Sequence, residues 1–229
     1  MTSANQARYK TLVSLLEENA SPEDALKMKQ YMRNQYDFLG IRAPQRKLLL
    51  KRYLENNDIP EGEELKALTT ALWQNPYREM QHLAMDILEK KIRKADLSFV
   101  TYFENLVLSK SWWDTVDWLA TRTGLILLKY PTEIPAYAEK WIASDNIWWQ
   151  RLAILFQLKY KSKTNERLLF DLILGRMDSK EFFVQKASGW VLREYSKTQP
   201  ESVIAFIQEY PLPRLTKTEG MKWINKQYL

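Results

Sequence analysis

The densest run of chemically capable side chains is Lys110-Ser111-Trp112-Trp113-Asp114-Thr115-Val116-Asp117-Trp118. Ser111 followed three residues later by Asp114 matches a capping box. Its hydroxyl would cap a helix, and Asp114 would complete the box and complement the helix dipole. Asp117 stands one turn beyond Trp113, and the i,i+4 spacing puts both on one helix face. Aspartate is disfavoured inside helices, so Asp117 needs a reason to be there. Either it is a working carboxylate beside an aromatic face, or it is an exposed or Arg-paired acid, with Arg122 or Arg151 as partner. A carboxylate so placed can oppose a developing positive charge and orient or deprotonate a water. An indole offers a π-face to the same cation.

Composition narrows the chemistry further. The 229 residues contain no Cys and one His, His82. That excludes a disulfide framework, a catalytic Cys and a thiolate–imidazole zinc site, and it excludes any triad unless His82 serves as its base. No metal or cofactor is expected. Lys and Arg number 34 against 28 Asp and Glu, a net charge of +6, and the pI is about 9.3. A basic chain favours an anionic partner. No apolar run approaches the roughly 18 residues of a membrane span, and the N-terminus lacks a secretory h-region, so a cytoplasmic protein is expected.

The elements that must position these residues are helices. Six Gly and nine Pro fall well below the average of about 7% and 5%, which leaves room for long helices. Ser21-Pro22-Glu23-Asp24 reads as a helix start. Thr198-Gln-Pro-Glu201 is a second capping-box match, and Asp145-Asn146 and Asp178-Ser179 are further cap candidates. The units repeat. Glu79-Met-Gln-His-Leu-Ala, Trp112-Trp-Asp-Thr-Val-Asp, Trp148-Trp-Gln-Arg-Leu-Ala and Phe183-Val-Gln-Lys-Ala-Ser align at intervals of 33, 36 and 35 residues. Their third positions are Gln81, Asp114, Gln150 and Gln185. This period predicts an all-α, HEAT-like α-solenoid of antiparallel helix pairs, a single domain over 1–229 with a concave basic groove. Residues at one slot should converge in space. The doublets Trp112-Trp113, Trp148-Trp149 and Phe182-Phe183 fall at equivalent helix starts. One member of each can enter the core while its neighbour faces the groove.

Four segments carry a resemblance: Phe38-Leu-Gly-Ile-Arg-Ala-Pro-Gln-Arg, Ser111-Trp-Trp-Asp-Thr-Val-Asp, the run from Trp141 to Lys161, and Lys180-Glu-Phe-Phe-Val-Gln-Lys-Ala-Ser-Gly-Trp-Val-Leu-Arg-Glu-Tyr. Over nearly the whole chain the sequence resembles the AlkD family of bacterial DNA alkylation-repair glycosylases, which are built from HEAT-like repeats. The resemblance implies excision of positively charged alkylated purines, chiefly 3-methyladenine and 7-methylguanine, from double-stranded DNA by a monomer associated with the nucleoid. It implies that Asp117 is the catalytic carboxylate and that Trp113 and Trp190 embrace the deoxyribose of the lesion. It places Arg151 at a backbone phosphate and Tyr31 on a DNA-facing surface, with Arg42, Lys47 and Arg193 near DNA. The family's usual Gly-Ile-x-Thr-Pro turn has Ala43 in place of Thr here, which removes one hydroxyl that could bind phosphate.

The substrate class suits the residues. A cationic purine leaves without a general acid, so the enzyme must only stabilise an oxocarbenium-like sugar and present water to it, as in glycoside hydrolysis. The family reads the lesion through sugar and backbone, without a base-flipping pocket. Other residues have plainer expectations. His82 should be solvated or near phosphate, and Trp73, Trp118, Trp141, Trp148 and Trp149 should serve packing. Lys159, Lys161 and Lys163 should form a solvated helix end. Two other functions compete: a non-catalytic HEAT-repeat module that binds DNA of altered structure, and a scaffold for a protein partner.

Overall fold

The computed structural model describes residues 1–228. Among these it contains thirteen α-helices and no strand, apart from one isolated bridge between Asp37 and Tyr77. The chain divides into two compact units, Met1–Lys94 and Ala95–Leu229. No helix among the described residues is long and apolar enough to cross a membrane.

The N-terminal unit holds α1 (Ser3–Glu17), α2 (Pro22–Tyr31), α3 (Ala43–Tyr53), α4 (Gly62–Gln74) and α5 (Arg78–Glu89). As the sequence predicts, Ser21 caps α2 and accepts from the Asp24 amide. The loop between α2 and α3 is fixed from below. The buried Glu79 carboxylate accepts the amides of Leu39, Gly40 and Ile41 at 3.0, 2.8 and 3.0 Å. Gly40 has φ +89°, and a Cβ there would sit 2.0 Å from the Ser21 carbonyl oxygen. Only glycine fits this turn.

The C-terminal unit holds α6 (Ser98–Val107), α7 (Trp113–Leu127), α8 (Ile134–Ala143), α9 (Ile147–Leu155), α10 (Glu166–Leu174), α11 (Phe182–Tyr195), α12 (Pro200–Glu209) and α13 (Arg214–Tyr228). Helix α6 packs on α7, α8 on α9 and α12 on α13, while α7, α9, α11 and α13 pack on one another in succession. This is the helix-pair stacking of an α-solenoid. The four aligned sequence segments open α5, α7, α9 and α11.

The repeated glutamine has a physical role. Carbonyls at and beyond a helix end lack intrahelical partners, and the Gln amide donates to such carbonyls. Gln81 bonds the carbonyls of Trp73 and Asn75 at the end of α4, both at 2.8 Å. Gln150 bonds the Ser144 carbonyl after α8 at 2.7 Å, and Gln185 bonds the Ser179 carbonyl beyond α10 at 2.8 Å. The fourth slot, Asp114, is an acceptor when ionised and cannot make this bond. There the Ser111 hydroxyl donates to the Val107 carbonyl at the end of α6. Ser111 is therefore not the N-cap of α7. Trp112 holds that position, without a side-chain cap. The Thr198 box also fails, since Gln199 is the N-cap of α12. Asp178-Ser179 does not cap either, because Glu181 precedes α11. Asn146 does cap α9, accepting from the amides of Trp148 and Trp149.

Gln81 is wholly buried, and Gln81→Leu removes its two carbonyl bonds from the core. A hydrogen bond contributes about 0.5–1.5 kcal/mol, so the pair contributes about 1–3 kcal/mol. Urea denaturation should show a loss of that size. A variant as stable as the parent would refute the stapling role.

Candidate active site

The site grows from the crossing of α7 and α9. A Cβ on Gly124 would lie 1.9 Å from the Phe156 carbonyl oxygen, so glycine lets the two backbones touch. The Tyr160 hydroxyl ties the same point, donating to the Gly124 carbonyl at 2.7 Å. This approach brings Arg151 of α9 onto Asp117 of α7. The guanidinium grips the carboxylate with two bonds, Nε to Oδ1 at 2.6 Å and Nη2 to Oδ2 at 2.9 Å. Its Nη1 donates to the Phe183 carbonyl at the start of α11, at 2.6 Å. One arginine thus joins three successive repeats. A bidentate, charge-assisted pair of this kind fixes geometry as well as energy.

The sequence left two partners open for Asp117, and the structure selects Arg151. Arg122 instead lies over the Trp118 ring, 5.3 Å from its centroid, and donates to Thr121 Oγ1. The side chain of Arg151 is 4% exposed, while that of Asp117 keeps 16%. The carboxylate is the half of the pair that solvent can reach. Burial pushes its carboxyl up from the ordinary 3.8, the hydrogen bond and charge of Arg151 pull it back, and the nearby Asp114 charge pushes the same way as burial. The outcome is a carboxyl above its ordinary value.

The first slots of three repeats converge on one another, and Phe183 links them to Arg151. Trp112 meets Trp148 at 5.8 Å and Phe183 at 5.0 Å between ring centroids, and Trp148 meets Phe183 at 5.0 Å. Phe182 packs edge-on against Phe183 and is itself half exposed. Trp113 opens α7 one turn before Asp117 and is half-buried. Trp190 is also half-buried and lies two turns beyond Phe183, so the two share a face of α11.

The structure therefore joins Asp117 with Arg151 and sets Trp113 on the same helix. Arg151, expected at a phosphate, is occupied by Asp117 and the Phe183 carbonyl. Arg193, further along α11, pairs with Glu219 of α13 at 3.1 Å. Tyr31, Arg42 and Lys47 belong to the N-terminal unit. Tyr31 ends α2 and is 73% exposed. Arg42 precedes α3 and pairs with Asp24 at 2.7 Å, and Lys47 is exposed on α3. Trp73 and Trp141 are fully buried, as packing residues should be. Trp148 packs against Trp112 and Phe183, as expected of a packing residue, while the Phe183 ring and carbonyl reach Arg151, a role the sequence did not reveal. The slot that Phe183 shares with Trp112 and Trp148 was the available signal. No group of acidic or His side chains able to hold a metal occurs among the described residues.

Residues 12–224 match the profile of a family described as DNA alkylation repair enzyme. The chain belongs to that family. Among solved structures it is similar to one described as a predicted DNA alkylation repair enzyme from Enterococcus faecalis. That match has 37% identity and a TM-score of 0.84, over 90% of this chain and 97% of the other. It also shares its fold with AlkD2 from Streptococcus mutans, at 21% identity and a TM-score of 0.62, over 86% of this chain and 98% of that one. The smu.31 protein of Streptococcus mutans UA159 is similar at 20% identity and a TM-score of 0.59, with the same coverage. No curated protein matches the sequence. Membership in the DNA alkylation repair enzyme family places the chain's work in DNA alkylation repair, with DNA as the molecule acted on.

The pair makes a titration prediction. By carbon-detected NMR the Asp117 carboxyl should titrate above 3.8. In Arg151→Gln it should titrate higher still, because the group that favours the ionised form is gone. A downward move in Arg151→Gln would contradict this account of the site.

Proposed function

We propose that this member of the DNA alkylation repair enzyme family is a DNA N-glycosylase. It excises positively charged alkylated purines, 3-methyladenine and 7-methylguanine, from duplex DNA. The observation that carries the reading is the Asp117 carboxylate, gripped by Arg151, partly open to solvent, and one turn from Trp113. A cationic purine is already an activated leaving group. The enzyme has to stabilise the sugar cation left behind, and one fixed carboxylate does this without reorganisation at the moment of reaction.

Arg151 acts on the carboxylate rather than on the sugar. It holds both oxygens in place and favours their ionised form, while burial raises proton affinity. A carboxylate of raised proton affinity is a better base towards water. Asp117 therefore opposes the positive charge on the sugar and takes a proton from the attacking water. Water oxygen bonds to the anomeric carbon as the purine departs with the bonding electron pair, which neutralises its charge. Trp113 and Trp190 offer π-faces to the same cation. Tyr31, Arg42, Lys47 and Arg193 contact the DNA backbone, and the protein acts as a cytoplasmic monomer.

Release of 7-methylguanine from methylated duplex DNA tests the reading. Loss of one preorganised electrostatic group costs about 10²–10³-fold in rate, and Asp117→Asn should fall at least that far. A cation–π contact is worth about 0.5–2 kcal/mol, so Trp113→Ala or Trp190→Ala should lose about 2- to 30-fold. Equal release by the parent and Asp117→Asn would remove Asp117 from the mechanism. Duplex binding by the parent without any base release would favour a non-catalytic DNA-binding module instead.

A further inference from the structure

A second buried carboxylate lies outside the Asp117 site and carries more positive charge than it needs. Glu219 of α13 has a side chain only 5% exposed, yet three cations reach it. Lys186 Nζ lies 2.6 Å from Oε1, Lys222 Nζ lies 2.5 Å from the same oxygen, and Arg193 Nη1 lies 3.1 Å from Oε2. One cation would balance the carboxylate. Three leave a surplus of two positive charges, held close together because two ammonium groups share one oxygen. The anchor is buried, but the cations keep between 31% and 49% of their side chains exposed. The charge is therefore presented to solvent.

The backbone is shaped to allow this. Gly189 lies on α11 between Lys186 and Arg193. A Cβ there would fall 2.5 Å from Glu219 Cβ and 2.8 Å from the Thr216 carbonyl oxygen. Glycine thus lets α13 come close enough to set Glu219 between the two cations. The Thr216 hydroxyl secures the contact by donating to the Gln185 carbonyl at 3.1 Å. Burial alone would push the Glu219 carboxyl up, but Lys186 and Lys222 outweigh it and hold the group below its ordinary 4.5. On α11, Lys186, Trp190 and Arg193 follow at i, i+4 and i+7, which is one helix face. The two pinned cations flank the indole assigned to the lesion sugar.

We propose that Lys186, Arg193 and Lys222 form a preorganised site for a backbone phosphodiester, and that Glu219 is its positioning residue. This rests on duplex DNA being the ligand, as proposed above, but not on the chemistry of Asp117. Glu219 touches no phosphate. It fixes three flexible cations around one point, so less side-chain freedom is lost when an anion arrives. The surplus charge then meets the phosphate.

Undamaged duplex DNA provides the test, since no base release is involved. Binding is measured for the parent and for Glu219→Gln across a range of salt concentrations. If the site were only a general positive surface, removing one negative charge would tighten binding. The positioning role requires the opposite, a several-fold weaker Kd and a shallower salt slope for Glu219→Gln, with the thermal melt recorded alongside. Binding as tight as the parent's, or tighter, overturns the proposal. Should Glu219→Gln fail to fold, the double variant Lys186→Gln, Lys222→Gln decides. Each phosphate neutralised contributes about −0.9 to the salt slope, so a double variant that loses this one phosphate should lose about 0.9. An unchanged slope overturns the proposal. Failure of Asp117→Asn to slow base release leaves this result untouched, and the two readings fail separately.

Discussion

Burying a carboxylate is costly unless its charge is matched, and much of this fold can be understood as the matching of four acids. Glu79 is answered by three backbone amides, which fix the loop before α3. Glu104 of α6 is answered by Lys140 and by the Trp141 indole of α8. Asp117 is answered by Arg151 across α7 and α9, and Glu219 by three cations across α11 and α13. Each match joins elements distant in sequence. In the C-terminal unit the matched acids run from one repeat to the next. Removing Arg151 would leave the Asp117 charge without its partner, so such matches specify which helices face each other.

Two glycines make the last two matches possible. Gly124 and Gly189 lie where α7 meets α9 and where α11 meets α13. A methyl group at either position would meet backbone or Cβ atoms that cannot move aside cheaply. The cost of glycine inside a helix is roughly 0.5–1 kcal/mol relative to alanine. Here it is offset by contacts that only a close approach allows. The positioned carboxylate of the candidate active site thus begins with the absence of a side chain one helix turn or more away.

Much of the architecture was legible in the sequence, and the reason is specific. The 35-residue period was carried by Gln81, Gln150 and Gln185, and each ties down a backbone carbonyl in the connection before its own helix. A residue with a repeated physical task leaves a repeated trace. The helix ends were less legible. Ser111 and Thr198 satisfy a capping-box pattern, but a serine hydroxyl can equally bond the carbonyl four residues back, and at Ser111 it does. Pattern alone does not choose between an amide ahead and a carbonyl behind.

The site was legible in its residue types and only partly in its contacts. Asp117 stood out because aspartate is unwelcome inside a helix. Its partner could not be chosen by spacing, since Arg122 is near in sequence and Arg151 is near in space. The Phe183 carbonyl left no trace, because a backbone acceptor has no residue type. Glu219 was passed over because beside Lys222 it resembles an ordinary surface pair at i,i+3. Only the packing of α11 shows that it is buried. In the proposed reaction the leaving purine brings its own charge and Asp117 need only answer it. The most direct measurement compares single-turnover release from two duplexes of one sequence, one carrying cationic 7-methylguanine and one carrying neutral O6-methylguanine. Enzymatic release is expected of the first, and none of the second above the spontaneous rate. Similar rates for both would contradict it.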